Sequence, residues 1–409
     1  MAYHSTHGLT CTRPPPRHAC RVVLHVVWRG AEMALPAAGN PASRLCVARD
    51  SPPRSPPIAS WKAGRYSGEP APLCWQLRVA TYNIHSGMSL EEDALSPERT
   101  AQAVTGAQPA APQVLCLQEV EVVGGAIPQR TRKWSRLHAE DQVAAMATAT
   151  GLQHTLWAPA LRSVAFDPTA SSAGDEVLVA DEQGGDYGIA ILSSLPFEDQ
   201  RVLNFDGAPS AGAVLHMDRV TQPRGAAAVL VRTHPAAAPV WVVTTHLSHK
   251  SGSGEQKAQA RQLCEWCDKL RQETADVAAG MILCGDMNSP PIGHSQPGAG
   301  AWAEITAWLP SQGHPRATQT EWSDAWLLSS AVRSGGDGGS DGGGHTCPSD
   351  RPRYRIDQFF LDRTLASHAA QVAVEVGGTT DPHASDHLPV HLTVTVGAAP
   401  SQAAGGSRL

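Results

Sequence analysis

The sequence predicts an α/β (α+β) protein in which two mostly antiparallel sheets pack face to face, with helices outside. Three observations predict it. Nine strand-like apolar runs lie between residues 77 and 397. Helical patterns are few and fall between those runs. The runs 227–234 and 240–247, joined by "PAAAP", read as a hairpin with a slightly long loop. A strand set of this kind buries its apolar faces only by stacking sheet on sheet and covering the outer faces with helices.

In chain order the strand runs are "LRVATYNI" (77–84), "VLCLQEV" (114–120), "YGIAILSS" (187–194), "AAVLVRTH" (227–234) and "VWVVTTHL" (240–247), followed by "MILCGDMN" (281–288), "YRIDQFFLD" (354–362), "VAVEV" (372–376) and "LPVHLTVTV" (388–396). The helical patterns carry their own punctuation. "SPERTAQAV" has Ser96 as N-cap and Pro97 at the first helical position. "DQVAAMATATG" offers Asp141 as cap and Gly151 as terminator. "GEQKAQARQLCEWCDKLRQETADV" is the longest. All of this forms one domain, 77–397.

Outside it the chain changes character. Residues 1–76 are Pro-, Ala- and Arg-rich without a sustained period and read as a disordered basic extension. Their composition would suit an organellar transit peptide; the blander reading is a variable extension, or a start at Met33. "RSGGDGGSDGGGH" (333–345) reads as a flexible loop, 167–186 as another long loop, and 398–409 as a disordered tail.

The 409 residues carry a formal charge of -6, unevenly spread. Residues 1–76 hold eight Arg and one Lys against Glu32, Asp50 and Glu69, or +6. Residues 77–397 hold 22 basic and 35 acidic residues, or -13. A core that acidic makes a poor general-purpose polyanion groove. It suits cation binding, a small substrate or plain solubility. Nine cysteines form no second close pair beside Cys264 and Cys267, so no zinc framework is spelled out, and those two read as helix packing. Free thiols favour a reducing, intracellular compartment. No apolar run approaches the ~18 residues that span a bilayer.

Chemistry enters at the strand ends. Asn83, Glu119, His246, and Asp286 with Asn288 close or nearly close their strands; Asp357 interrupts "YRIDQFF", and Asp386 and His387 open the last strand. Singly, each has a bland explanation as a turn residue, a solvated strand end or a hydrogen-bonded rim histidine. Jointly they differ, because the rims of packed sheets converge. Several carboxylates brought together repel one another without a cation, and oxygen donors suit a hard divalent ion, Mg²⁺ first.

The ordered set "TYNIHSG", "LCLQEV", "YGIAILSS", "TTHLSH", "CGDMNSPP", "RYRIDQFFLD" and "SDHLPV" resembles the endonuclease/exonuclease/phosphatase superfamily, the deoxyribonuclease I-like proteins, over about 320 residues. The resemblance implies a four-layer α/β sandwich and Mg²⁺-dependent phosphoester cleavage, with Mn²⁺ as a substitute. It further implies Glu119, Asn83 and Asp386 on the metal side, and Asp286 orienting or deprotonating the attacking water. Asn288 is implied to bond a phosphate oxygen, His387 to contact the scissile phosphate with Asp357 orienting it, and His246 to act as the second histidine. Two positions depart from the family pattern, Gln358 and Cys347, both expected to pack.

The style is closest to compact bacterial-type hydrolases and to the catalytic domain of the calcofluor white hypersensitive protein. The inositol phosphatase branch is disfavoured because its "GDxNYR" and "WxDR" segments are missing, and the apurinic branch by "TTHLSH". "QRTRKWSR" (129–136) is either a solvated loop or a phosphate clamp through Arg130 and Arg132. Three functions are compatible. The first is a Mg²⁺-dependent hydrolase of a small or lipid-linked phosphodiester, working by in-line attack of water and expected as a monomer. The second is a nuclease on RNA or DNA. The third is a non-catalytic phosphoester-binding module.

Overall fold

The computed structural model describes residues 74–87, 89, 97–106, 110–123, 141–166, 178–180, 185–205, 224–250, 252–291, 300–308, 321–329, 344–377 and 381–397. In chain order the strands are β1 (Cys74–Asn83), β2 (Val114–Val123), β3 (His154–Phe166), β4 (Leu178–Ala180), β5 (Gly185–Ser193), β6 (Phe197–Asn204), β7 (Gly225–Val231), β8 (Val240–His246), β9 (Gly280–Asp286), β10 (Trp322–Asp324), β11 (Asp357–Asp362), β12 (Ala369–Val376) and β13 (Val390–Gly397). The helices are α1 (Pro97–Thr105), α2 (Gln142–Thr150), α3 (Gly254–Glu273), α4 (Ala301–Thr306), α5 (Ala325–Leu328) and α6 (Arg363–His368).

Seven strands form one sheet in the order β12-β13-β1-β2-β5-β3-β4, and six form the other in the order β10-β11-β9-β8-β7-β6. Within each sheet one pair is parallel: β1 with β2, joined through α1, and β8 with β9, joined through α3. Every other pairing is antiparallel.

Three apolar layers hold this together. Leu77, Val79, Val114 and Cys116 of one sheet meet Val229, Val242, Ile282 and Phe359 of the other. Trp241, Met281 and Phe360 pack outward against Leu263, Cys264, Cys267 and Leu270 of α3. Tyr82, Leu115 and Leu117 pack against Ala101, Val104, Val143 and Met146 of α1 and α2. The result is the four-layer sandwich. Cys264 and Cys267 are buried free thiols in the outer layer, which is a packing role.

The expected helix signals are in place. Asp141 caps α2 by accepting from Ala144 N at 3.0 Å, and Gly151 ends it. Ser253 Oγ caps α3 by accepting from Gln256 N at 3.1 Å. Other expectations shift. β1 begins at Cys74, inside the segment read as disordered, because β13 pairs with it from Cys74↔Gly397 onward. β4 and the start of β5 fall inside the expected loop 167–186. Asp357 opens its strand instead of interrupting it. Residues 1–73, 330–343 and 398–409 lie outside the described residues, as do Ser96 and the whole of 129–136 with Arg130 and Arg132.

Candidate active site

The site forms where the rims of the two sheets meet. On the six-stranded sheet, β11, β9 and β8 lie side by side with Asp357 opposite Asp286 and Asp286 opposite His246. Three functional side chains therefore share one row across the rim. On the seven-stranded sheet, Asn83 ends β1 opposite Gln118 of β2. Glu119 follows Gln118 at a break in register between Leu117 and Val120, with φ at 56°. This bulge re-aims the strand, as bulges beside functional sites do.

Two backbone features set Asp286. At the preceding Gly285 (φ 130°) a Cβ would lie 2.0 Å from Thr245 O, so only glycine lets β9 run this close to β8. At Asn288 (φ 49°) the chain turns left-handed, a conformation asparagine tolerates, and its N–H donates to Asp286 Oδ1 at 2.8 Å. The Asn288 amide group donates to Leu247 O at 3.1 Å, which leaves its second N–H and its oxygen for other partners.

Asn83 joins the two rims. Its Nδ2 donates to Glu119 Oε1 and to Asp286 Oδ2, both at 3.1 Å. Its Oδ1 accepts from His85 N at 3.0 Å, which fixes the orientation of the amide. The expected metal-side Asn83 thus stands here as a donor bridging two carboxylates, and its oxygen is turned away from them. Beneath it, Gln118 Nε2 donates to Thr244 Oγ1 at 3.0 Å, a buried polar link between the sheets.

The two histidines meet the same carboxylate from different sides. His246 Nε2 lies 3.4 Å from Asp286 Oδ2 and 4.0 Å from Glu119 Oε1. His387 Nε2 lies 3.8 Å from Asp286 Oδ2 and 4.0 Å from Asp386 Oδ1, while its Nδ1 is held by Asp357 Oδ2 at 2.7 Å. Asp386 is partly exposed and also lies 3.7 Å from His85 Nδ1. Seven of the eight strand-end residues surround Asp286 or its immediate neighbours. Asn288 reaches it through its backbone.

Electrostatics separates these groups. Burial pushes the Asp286 carboxyl up to about 7, reinforced by Asp357 and opposed by His387 and by the bonds from Asn288 and Asn83. For His387 burial favours the neutral ring, but Asp357, Asp386 and Asp286 together overcome it and hold the imidazole well above its ordinary range. For His246 burial acts first and the Arg224 guanidinium second, both holding the ring well below its ordinary range. The two rings are thus pushed in opposite directions.

Asp286, Asp357 and His387 each offer a ligand atom within 4.8 Å of the others. Asp357 Oδ1 is buried without a hydrogen-bond partner among the described residues. A hard divalent cation fits this oxygen-rich donor set. The carboxylates around His387 favour its protonated form, which cannot ligate. That leaves the Asp286 and Asp357 carboxylates of this group as the oxygen ligands on offer, with Glu119 close by through Asn83, the donor it shares with Asp286.

Arg224 escapes sequence reading altogether. It is buried just before the all-apolar β7, and its Nη1 contacts His246 Nδ1 at 2.9 Å and Tyr187 OH at 3.4 Å. A lone arginine ahead of an apolar run follows the same style as the polar strand ends, and that was the available signal. The departures Gln358 and Cys347 are more than filler. Gln358 Nε2 donates to Ser289 O and Arg355 O, both at 2.7 Å, and the Cys347 thiol lies against His387.

A family model described as "Endonuclease/Exonuclease/phosphatase family" matches residues 80–387. Among solved structures the chain is similar to an endonuclease/exonuclease/phosphatase from Beutenbergia cavernae, at 23% identity and a TM-score of 0.50 over 80% of this chain and 73% of that one. It is likewise similar to a family protein from Bacteroides thetaiotaomicron, at 13% identity and a TM-score of 0.50 over 80% of this chain and 100% of that one. A likeness to truncated Caenorhabditis elegans TDP2 has 16% identity and a TM-score of 0.43, over 78% of this chain and 97% of that one. A search of curated proteins finds no match.

Proposed function

Because the chain belongs to the endonuclease/exonuclease/phosphatase family, whose members are generally hydrolases of phosphoesters, we propose that it is a Mg²⁺-dependent phosphodiesterase acting on a small or lipid-linked substrate. One observation carries this reading: Asn83 and Glu119 from one sheet meet His246, Asp286 and Asp357 from the other around a single buried carboxylate. The acidic balance of residues 77–397 favours a small substrate over a long polyanion.

Glu119 and Asp386 would hold the cation, with Asp286 beside them. A bound divalent cation supplies charge neutralisation at the phosphoryl group. Asp286, raised to about 7, is poised to take a proton from water near neutral pH. His387, clamped by Asp357, presents its Nε2–H and a positive charge to a phosphoryl oxygen. Asn288 offers its remaining amide N–H to a second oxygen.

A nuclease is the second reading, and one feature favours it. The turn 350–354 exposes Arg351, Arg353 and Tyr354 beside the site, joined to it by Ser349 N donating to Asp386 O at 2.8 Å. Cation and aromatic together suit a nucleotide chain. The test is a panel of a chromogenic diester, sphingomyelin-like lipid, single-stranded RNA and nicked DNA, with and without Mg²⁺. Diester or lipid turnover that requires Mg²⁺ and falls by about 10³-fold or more in Asp286→Ala, at an unchanged melting temperature, is expected. Turnover confined to RNA or DNA selects the second reading, and an active Asp286→Ala enzyme refutes both.

A further inference from the structure

We propose that Arg224 is a positioning residue that locks His246 into the tautomer with its proton on Nε2, so that this ring serves as a neutral hydrogen-bond donor to the substrate phosphate. A guanidinium carries only donors. Its Nη1 stands 2.9 Å from His246 Nδ1, so that nitrogen must present a lone pair. The single ring proton then sits on Nε2, the nitrogen that faces Asp286 Oδ2 and Glu119 Oε1. A protonated Nδ1 would set two N–H groups and two positive charges against each other in a buried space.

The arginine is held for this task. Its carbonyl accepts from Phe205 N at 3.1 Å, and the next residue, Gly225, accepts from Thr245 Oγ1 at 2.9 Å through its carbonyl. Tyr187 OH meets the same Nη1 at 3.4 Å. Ala158, Gly188 and Gly225 complete a small cleft around the guanidinium and ring. The two imidazoles of the site therefore hold opposite states by opposite partners. His387 has a carboxylate on Nδ1, and His246 has a cation there. With Nε2 protonated and Nδ1 blocked, His246 neither accepts a proton from water nor becomes an imidazolium, and donation is what remains.

The inference rests on the phosphodiesterase reading for its consequence but not for its first measurement. In protein with ¹⁵N-labelled histidine at neutral pH, long-range ¹H–¹⁵N correlation distinguishes protonated from unprotonated ring nitrogens. Among the 18 histidines, the signals of His246 are those lost in His246→Gln. The expected result is an unprotonated Nδ1 and a protonated Nε2. Arg224→Lys, which retains a group with donors only, should preserve that pattern, and Arg224→Met should give a mixed or reversed one. Turnover should fall by about 10- to 100-fold in Arg224→Met, chiefly in kcat, and recover partly in Arg224→Lys. A wild-type ring protonated on Nδ1 overturns the proposal whatever the variants do. So does an Arg224→Met protein that keeps both the Nε2–H ring and full kcat. The expected wild-type spectrum in a protein inactive on every diester would instead leave the tautomer lock standing and sink the assigned activity.

Discussion

His387 and Asp357 show what a single contact decides. The 2.7 Å bond between them is formed by residues 30 positions apart, both nearly sealed from water. It holds the ring with Nε2 pointing into the site. Asp357→Asn keeps the size of the side chain and removes a charge that raises the ring's hold on a proton. We expect kcat to fall by about 10²–10⁴ with KM little changed, measured at saturating Mg²⁺. A loss confined to KM would assign Asp357 to substrate binding. Among the site residues, the strand-terminal acids, amides and histidines were legible in the sequence because an apolar run ending on a polar side chain stands out. Arg224 was not, because its one local mark is its place just before an apolar run, and its partners come from other strands. Glu119 was legible as a residue, but its left-handed backbone was not.

Elements differ in how openly they declare themselves. β7, β8 and β9 are buried along their whole length and read as unbroken apolar runs. β6, "FEDQRVLN", is an edge strand with alternate residues in water, and its charges hid it. β3 contains Pro159, which argues against a strand, and the structure accommodates it where the register with β5 slips. β10 has three residues, too few for any pattern. Two substitutions separate scaffold from site at this scale. Asp141→Ala removes a distant cap and should cost about 1 kcal/mol in denaturant unfolding without touching kcat. Gly285→Ala forces β9 away from β8 at the residue before Asp286. It should cost about 2–4 kcal/mol and lower kcat by at least tenfold in the fraction that remains folded.

At the scale of the whole molecule, acid sensitivity has an identifiable contributor far from chemistry. Burial in β13 pushes His391 down to about 4 from its ordinary 6.5, and its Nε2 has no hydrogen-bond partner among the described residues. The unfolded chain therefore binds a proton more readily than the folded one between these values. The resulting stability is present above pH 6.5 and is lost as pH falls toward 4, by about 3 kcal/mol in full. Asp286, with a raised pKa, acts with opposite sign in an overlapping window, so the clean measurement is a difference. The gap in melting temperature between His391→Phe and the wild type should widen in favour of the variant from pH 7 to pH 4. A constant gap would mean that the ring ionises freely where it sits. Among the described residues no helix is long and apolar enough to cross a membrane.

The order of strands in the larger sheet also sets a timetable. β13 is laid between β12 and β1, so an edge opened at Cys74 waits for residues near 397 to complete it. His387 comes only three positions before that closing strand. During synthesis, Glu119, His246 and Asp286 would emerge well before His387 and the strand that follows it. A nascent or truncated chain stopped short of residue 387 lacks this imidazole and the whole of β13, the strand that pairs with both β12 and β1.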